Sequence, residues 1–238
     1  MSMLSFLFPP VCPLCGKTLL KKNRKLCPEC EKKNIFIKEP VCYSCGKQLA
    51  SEETEYCSDC MKHPKNFKRG LGLCIYKEPV IHSLASIKYK NKREFSSYYL
   101  SEIRDRKLVQ LKNLNLDLVI PVPLHPRKRR KRGFNQAEIF AEGIADMIGC
   151  SMENKLVLRE KDTKPLKKMD PSQRKKTLLK AFHGNREVYE KTGRPKTVLV
   201  VDDIYTTGAT SQGVTRSLKE LGVRDVYIFC IAIGQGYS

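Results

Sequence analysis

Apolar and polar positions change rhythm about a quarter of the way along the chain. Beyond residue 69, short apolar runs alternate with stretches of helical period. Residues 70–76 read as a strand, 78–89 and 94–108 as helices, and 116–121 (Leu-Asp-Leu-Val-Ile-Pro) as a short buried strand. In 135–148, Ala137, Phe140, Ala141, Ile144 and Ile148 fall on one helix face. A strand follows at 156–158. Residues 162–180 have no apolar period and read as a long loop. Residues 197–201 form a continuous buried strand, 209–221 a helix stopped by Gly222, and 226–233 the last strand. Buried strands alternating with helices predict an α/β domain on a mainly parallel sheet over residues 67–238. Residues 1–66 lack this alternation and read as a separate small domain.

What organises residues 1–66 is cysteine. Eight of the chain's 11 cysteines form four Cys-x-x-Cys pairs: Cys12/Cys15, Cys27/Cys30, Cys42/Cys45 and Cys57/Cys60. Cys12 to Cys42 and Cys27 to Cys57 are both 30 residues, so one small unit is duplicated. Two such pairs per unit are the ligand set of a tetrathiolate zinc site, which predicts two structural zinc ions. A unit this short buries little apolar surface, so the metal supplies most of its folding free energy. A disulfide framework is the rival. It needs an oxidising compartment, and the apolar start at 1–8 has no basic leader and is ended by Pro9-Pro10. The chain therefore reads as cytoplasmic. Sequential ligation (Cys12, Cys15, Cys27, Cys30, then Cys42, Cys45, Cys57, Cys60) is favoured over interleaved ligation, because shorter loops cost less entropy to close. His63 reads as a surface residue, and Cys74, Cys150 and Cys230 as small buried hydrophobes.

Charge separates the two regions. The 238 residues hold 45 Lys+Arg and 25 Asp+Glu, a net +20. Residues 67–238 carry 34 of the bases and 18 of the acids, or +16. Two metallated tetrathiolates leave the first region near neutral. Basicity is concentrated in Arg127-Lys-Arg-Arg-Lys-Arg132 and in 161–180. Six adjacent like charges are easiest to justify beside a polyanion. No apolar run approaches the roughly 18 residues of a membrane span, so no integral membrane segment is expected.

The densest chemistry lies in Val198-Leu-Val-Val-Asp-Asp-Ile-Tyr-Thr-Thr-Gly-Ala-Thr210. A buried strand leads into two carboxylates, Asp202 and Asp203, then a loop of hydroxyls and glycine, then a helix. Open α/β sheets bind ligands at the carboxyl ends of their strands. Free N–H groups at a helix start attract phosphate, and a glycine lets the backbone approach it. Twin carboxylates add nothing for phosphate alone. They suit vicinal sugar hydroxyls and an accompanying Mg²⁺.

This segment resembles the 5-phosphoribosyl-1-pyrophosphate (PRPP) motif of type I phosphoribosyltransferases. Ile120-Pro-Val-Pro-Leu-His-Pro-Arg127, Arg132-Gly-Phe-Asn-Gln136 and the cysteine pairs placed ahead of the α/β domain extend the likeness to the ComF family over essentially the whole chain. The resemblance implies a type I phosphoribosyltransferase-like fold behind a duplicated zinc-ribbon domain. It implies Mg²⁺-PRPP as ligand, with Asp202 and Asp203 on the ribose and Thr206, Thr207, Gly208, Ala209 and Thr210 around the 5′-phosphate. Pro121, Val122, Pro123, Leu124 and His125, with Arg127, Arg132 and Asn135 nearby, would meet the pyrophosphate. Arg159, the segment 164–174 and Ala181-Phe182 resemble the family's hood. The family is associated with natural transformation, which implies single-stranded DNA and proteins of the uptake machinery as partners. Two readings stay open: an enzyme transferring the ribosyl group to an unread acceptor, and a non-catalytic module binding single-stranded DNA or a nucleotide. For the module, Tyr76, Tyr89, Phe134 and Tyr205 are stacking candidates.

Overall fold

The computed structural model describes residues 9–19, 24–159 and 181–235. Four strands form a parallel sheet in the order β1-β6-β5-β2: β1 Arg69–Ile75, β2 Leu118–Pro121, β5 Thr197–Tyr205 and β6 Asp225–Ile233. Two short strands, β3 Val157–Arg159 and β4 Phe182–Gly184, pair antiparallel beside it. The 162–180 loop expectation and the 164–174 hood segment lie outside the described residues.

The sheet is apolar on both faces because successive side chains of a strand point to opposite sides. Leu199 and Val201 of β5 join Phe229 and Ile231 of β6 on one face. Val198 and Val200 join Val226, Ile228 and Cys230 on the other. The first face is covered by α3 Val80–Lys90, α4 Ser96–Lys112 and α6 Gln136–Ile148. On α6 the buried residues are Ala137, Phe140, Ala141, Ile144 and Ala145; Ile148, placed on the apolar stripe, is only partly buried. The second face is covered by α8 Ala209–Leu221, whose Val214, Leu218 and Leu221 are buried, and by Tyr189 of α7 Arg186–Lys191.

Four elements depart from the sequence reading. Strand β5 runs on through both acids to Tyr205, held by pairing with β6 as far as Ile233. Residues 126–132, for which the pattern gave no element, are a helix, α5 Pro126–Arg132. Strand β4 and helix α7 were not expected. They are three and six residues long, too short to show a period.

Each ribbon carries a one-turn helix at its second cysteine pair, α1 Pro28–Glu31 and α2 Ser58–Lys62. The two copies sit on opposite faces of the sheet. Cys12, Cys27 and Cys30 belong to the α3/α4/α6 core, and Cys42, Cys45, Cys57 and Cys60 to the α8 core. Between the ribbons, Ile35–Ile37 runs along the edge of β1. Ile37 N–H donates to Leu73 O at 3.0 Å, and Ile75 N–H to Ile35 O at 2.7 Å. The segment thus covers a sheet edge that would otherwise expose unpaired donors and acceptors. The second ribbon presses on β1 itself. A Cβ on Gly70 would lie 2.7 Å from Cys45 O, so only glycine admits that contact. Cys74 and Cys230 are buried as expected, while Cys150 is half-buried with its Sγ 3.5 Å from Leu116 O.

Candidate functional site

The cysteine quartets come together as the sequential pairing predicts. In each set of four, Cys12/Cys15/Cys27/Cys30 and Cys42/Cys45/Cys57/Cys60, all sulfurs lie within 4.8 Å of one another. Cys15 Sγ and Cys27 Sγ are 3.7 Å apart, as are Cys45 Sγ and Cys57 Sγ. A tetrahedron with Zn–S bonds of about 2.3 Å has edges of about 3.8 Å. The donor sets therefore fit zinc. His63 stands outside both quartets, 3.4 Å from Asp59 at the surface.

A cleft of about 160 Å³ opens at the carboxyl ends of β2 and β5. These neighbours are followed by helices on opposite faces, α6 on one and α8 on the other. That is the topological switch point at which open parallel sheets take ligands. Val122, Pro123, Leu124, Arg132, Asn135, Asp202, Asp203 and Thr210 line the cleft together.

The two acids have different surroundings. Asp203 is buried and ion-paired with Lys88 Nζ near the end of α3. Asp202 Oδ1 accepts the Asp203 N–H at 2.8 Å. Burial, and then the charge of Asp203, raise the Asp202 carboxyl well above the usual carboxylate range. Asp202 therefore holds its proton more tightly than an ordinary aspartate, and a cation or hydroxyl donors in the cleft would favour its ionised form.

The loop after β5 is shaped by Tyr205. Gly208 has φ +76° and opens α8, and Gln212 N–H closes the first helical turn on Gly208 O at 2.8 Å. Its Cα faces the Tyr205 phenol, so a Cβ there would overlap Oη and lie 2.8 Å from Cζ. Tyr205 is itself fixed by an edge contact with Phe67, ring centroids 6.4 Å apart. Thr206 and Thr207 are exposed at the turn, while Ala209 and Thr210 begin the helix, half-buried. The first N–H groups of α8 have no partner within the helix, and Thr210 carries the loop into the cleft wall.

The loop after β2 is held from below. Asn135 Nδ2 donates to Val122 O at 3.0 Å, and its Oδ1 accepts the Ala137 N–H at 3.2 Å as the cap of α6. Asn135 therefore positions the loop. His125 caps α5, with Nδ1 accepting the Arg127 N–H at 3.1 Å, and Gly133 ends that helix with φ +79°. Pro121 closes β2, and Arg127 is exposed on α5; neither lines the cleft, nor do His125 and residues 206–209. Arg132 contacts Gln136 Oε1 and lies over the Tyr89 ring.

The sequence reading missed Lys88, Lys128 and Gln136 as cleft residues, and the first matters most. Lys88 and Asp203 are 115 positions apart, and nothing in spacing connects them. Among the stacking candidates, Tyr205 and Phe134 are buried, and Phe134 lies under Arg93 at 4.1 Å. Tyr76 packs against the core, while Tyr89 lines the cleft and is 77% exposed.

Two tetrathiolate ribbons set on the two faces of a parallel α/β sheet, with twin acids at its switch point, define a zinc-ribbon α/β protein. Residues 3–61 match the double zinc ribbon domain family. The chain is 24% identical over 224 residues to the DNA utilization protein YhgH of Salmonella typhi, covering 93% of this chain and 89% of that protein. It is 27% identical over 161 residues to Competence protein F of Haemophilus influenzae, covering 66% and 69%. It is 31% identical over 140 residues to Competence protein ComFC of Streptococcus pneumoniae, covering 59% and 55%. The chain is thus similar to competence and DNA utilization proteins and carries a double zinc ribbon ahead of its α/β sheet.

Proposed function

We propose that the chain binds Mg²⁺-PRPP at the switch-point cleft and acts in natural transformation, in the cytoplasm, on incoming single-stranded DNA with proteins of the uptake machinery. The observation that carries the ligand is the meeting of Thr210 at the start of α8, the Asp202–Asp203 pair and the cationic wall of Lys88, Lys128, Arg132 and Arg159 around one cleft. Relatives named for competence and DNA utilization support the cellular role.

In this reading the α8 start holds the 5′-phosphate and the acids accept the ribose hydroxyls. Arg132 and Lys128 face the pyrophosphate across the loop that Asn135 positions. Mg²⁺ enters with the ligand and neutralises part of the pyrophosphate charge. Domains 1–66 and 67–238 act as one scaffold, since each ribbon completes a face of the sheet.

One observation favours the non-catalytic alternative. Among the described residues lining the cleft, only Asp202 and Asp203 are carboxylates, and the other charged groups are cations. Such a wall holds a polyanion but offers no separate base for an acceptor. Calorimetric titration of the zinc-loaded protein with PRPP and Mg²⁺ tests the reading. Saturable binding that disappears in Asp202→Asn is expected. No heat from a folded, zinc-loaded chain refutes PRPP as ligand.

A further inference from the structure

Tyr89 is an anomaly of the fold. It is the most exposed large hydrophobic side chain among the described residues, at 77%. It belongs to neither core, yet it sits on the rim of a polar cleft beside the ion-paired Lys88. The Arg132 guanidinium lies 5.4 Å from its ring centroid. The neighbouring aromatic rings are spent on packing: Phe134 under Arg93, Tyr205 against Phe67. Among the described residues, only Tyr89 offers an open ring face to a ligand in this cleft.

Arg132 is also the last residue of α5, so the ring adjoins a cationic surface. Arg127, Lys128, Arg129, Arg130 and Lys131 are all exposed along that helix, which is about 10 Å long. Glu138 pairs with Arg129. Arg127, Arg130, Lys131 and Arg132 together carry more positive charge than a single phosphate or pyrophosphate needs. A planar group stacked at one end and several phosphates along the other is the outline of a single strand. Single-strand sites combine these two features.

We infer that Tyr89, backed by Arg132, is a stacking platform for a base of single-stranded nucleic acid whose phosphates run along α5. The inference rests on reading a single strand as a ligand of this chain, and adds where and how it is gripped. An isolated free base would use the ring but not the helix.

The test is fluorescence anisotropy of the full zinc-loaded chain with a labelled twenty-residue oligothymidylate, titrated at several salt concentrations. A stacked base contributes about 1–3 kcal/mol, so Tyr89→Ala is expected to weaken binding roughly 5- to 150-fold. Its salt slope should match wild type, because no phosphate contact is lost. Tyr89→Phe should bind within about twofold of wild type, since the ring is kept. The double variant Arg130→Gln/Lys131→Gln should behave oppositely, lowering the salt slope by about 1.4 for two lost phosphate contacts. Because Tyr89 is exposed, zinc content and thermal melting should be unchanged in Tyr89→Ala. Wild-type affinity in Tyr89→Ala overturns the platform while leaving strand binding intact. So does equal weakening in Tyr89→Phe, which would assign the effect to the hydroxyl. No oligonucleotide binding by wild type, with adenine or AMP still quenching tyrosine fluorescence in a Tyr89-dependent way, overturns the strand and leaves a free-base site.

Discussion

The contact between Gly208 and Tyr205 can be tested as a pair. Gly208→Ala places a Cβ at a residue with φ +76°. The left-handed backbone costs a side chain about 1–2 kcal/mol. The new methyl also overlaps Tyr205 Oη and lies 2.8 Å from Cζ and 3.0 Å from Cε2. The phenol cannot simply swing away, because it is buried against Phe67 and within the core that holds the second ribbon's thiols. Overpacking of this kind costs about 1–3 kcal/mol, so the total loss should be about 2–5 kcal/mol. Tyr205→Phe alone should be neutral or mildly stabilising. Its hydroxyl is buried with no hydrogen-bond partner among the described residues. Combined, Tyr205→Phe removes the nearest clashing atom and should return about 1 kcal/mol or more of the Gly208→Ala loss. The assay is urea unfolding of the zinc-loaded protein for wild type, both single variants and the double. PRPP titration of the same four proteins should follow the same order, with Gly208→Ala weakest. If the two substitutions add to within about 0.3 kcal/mol, the rings and the loop are not coupled, and the reasoning fails.

Two further expectations concern the acids and the metals. Asp202 is held above the usual carboxylate range in the fold, so the folded state retains its proton longer than the unfolded chain does. Stability from this group therefore falls as pH rises. Asp202→Asn removes that slope, so thermal melting should show the variant gaining on wild type as pH rises above the ordinary aspartate value of 3.8; an unchanged or shrinking difference contradicts the burial argument. Metal analysis should return two zinc ions per chain, and chelation should melt ribbons and α/β domain in one transition, because the thiols share the domain's cores. Two separate transitions would show independent units.

Legibility followed the range over which each determinant acts. The Thr-Thr-Gly-Ala-Thr turn and the strand before it are local. One segment supplies apolar residues, acids, hydroxyls and the left-handed glycine, so its sequence nearly determines its shape. The same holds for the Cys-x-x-Cys pairs, whose sequential grouping follows from loop closure. Helix α5 was obscured for a physical reason. It buries no residue, so it has no apolar period to detect. Its end signals were nevertheless present in His125, Pro126 and Gly133, and caps are the better guide for a solvated helix. Strand β5 was cut short at Val201 because acids are poor strand formers. Pairing with β6 overrides that preference.

The Lys88–Asp203 pair and the placement of the ribbons were beyond reach because they are tertiary facts. The repeat of 30 residues announces two equal units, and equal units suggest equal surroundings. The sheet makes them unequal. A parallel sheet buried on both faces needs two covers, and a tandem duplication supplies two, provided the link between them can pass around an edge. Ile35–Ile37 does so by pairing with β1. One copy then packs near α4, with Lys25 Nζ 3.5 Å from Asp105 Oδ2 of that helix. The other packs beneath the loop after β5, with Asn66 Nδ2 donating to Gln212 O of α8 at 3.2 Å and Phe67 against Tyr205. Divergence between the copies follows from this asymmetry. The second metal centre supports the cleft through the floor of its loop, while the first supports the helices that carry Lys88 and Tyr89 to the rim.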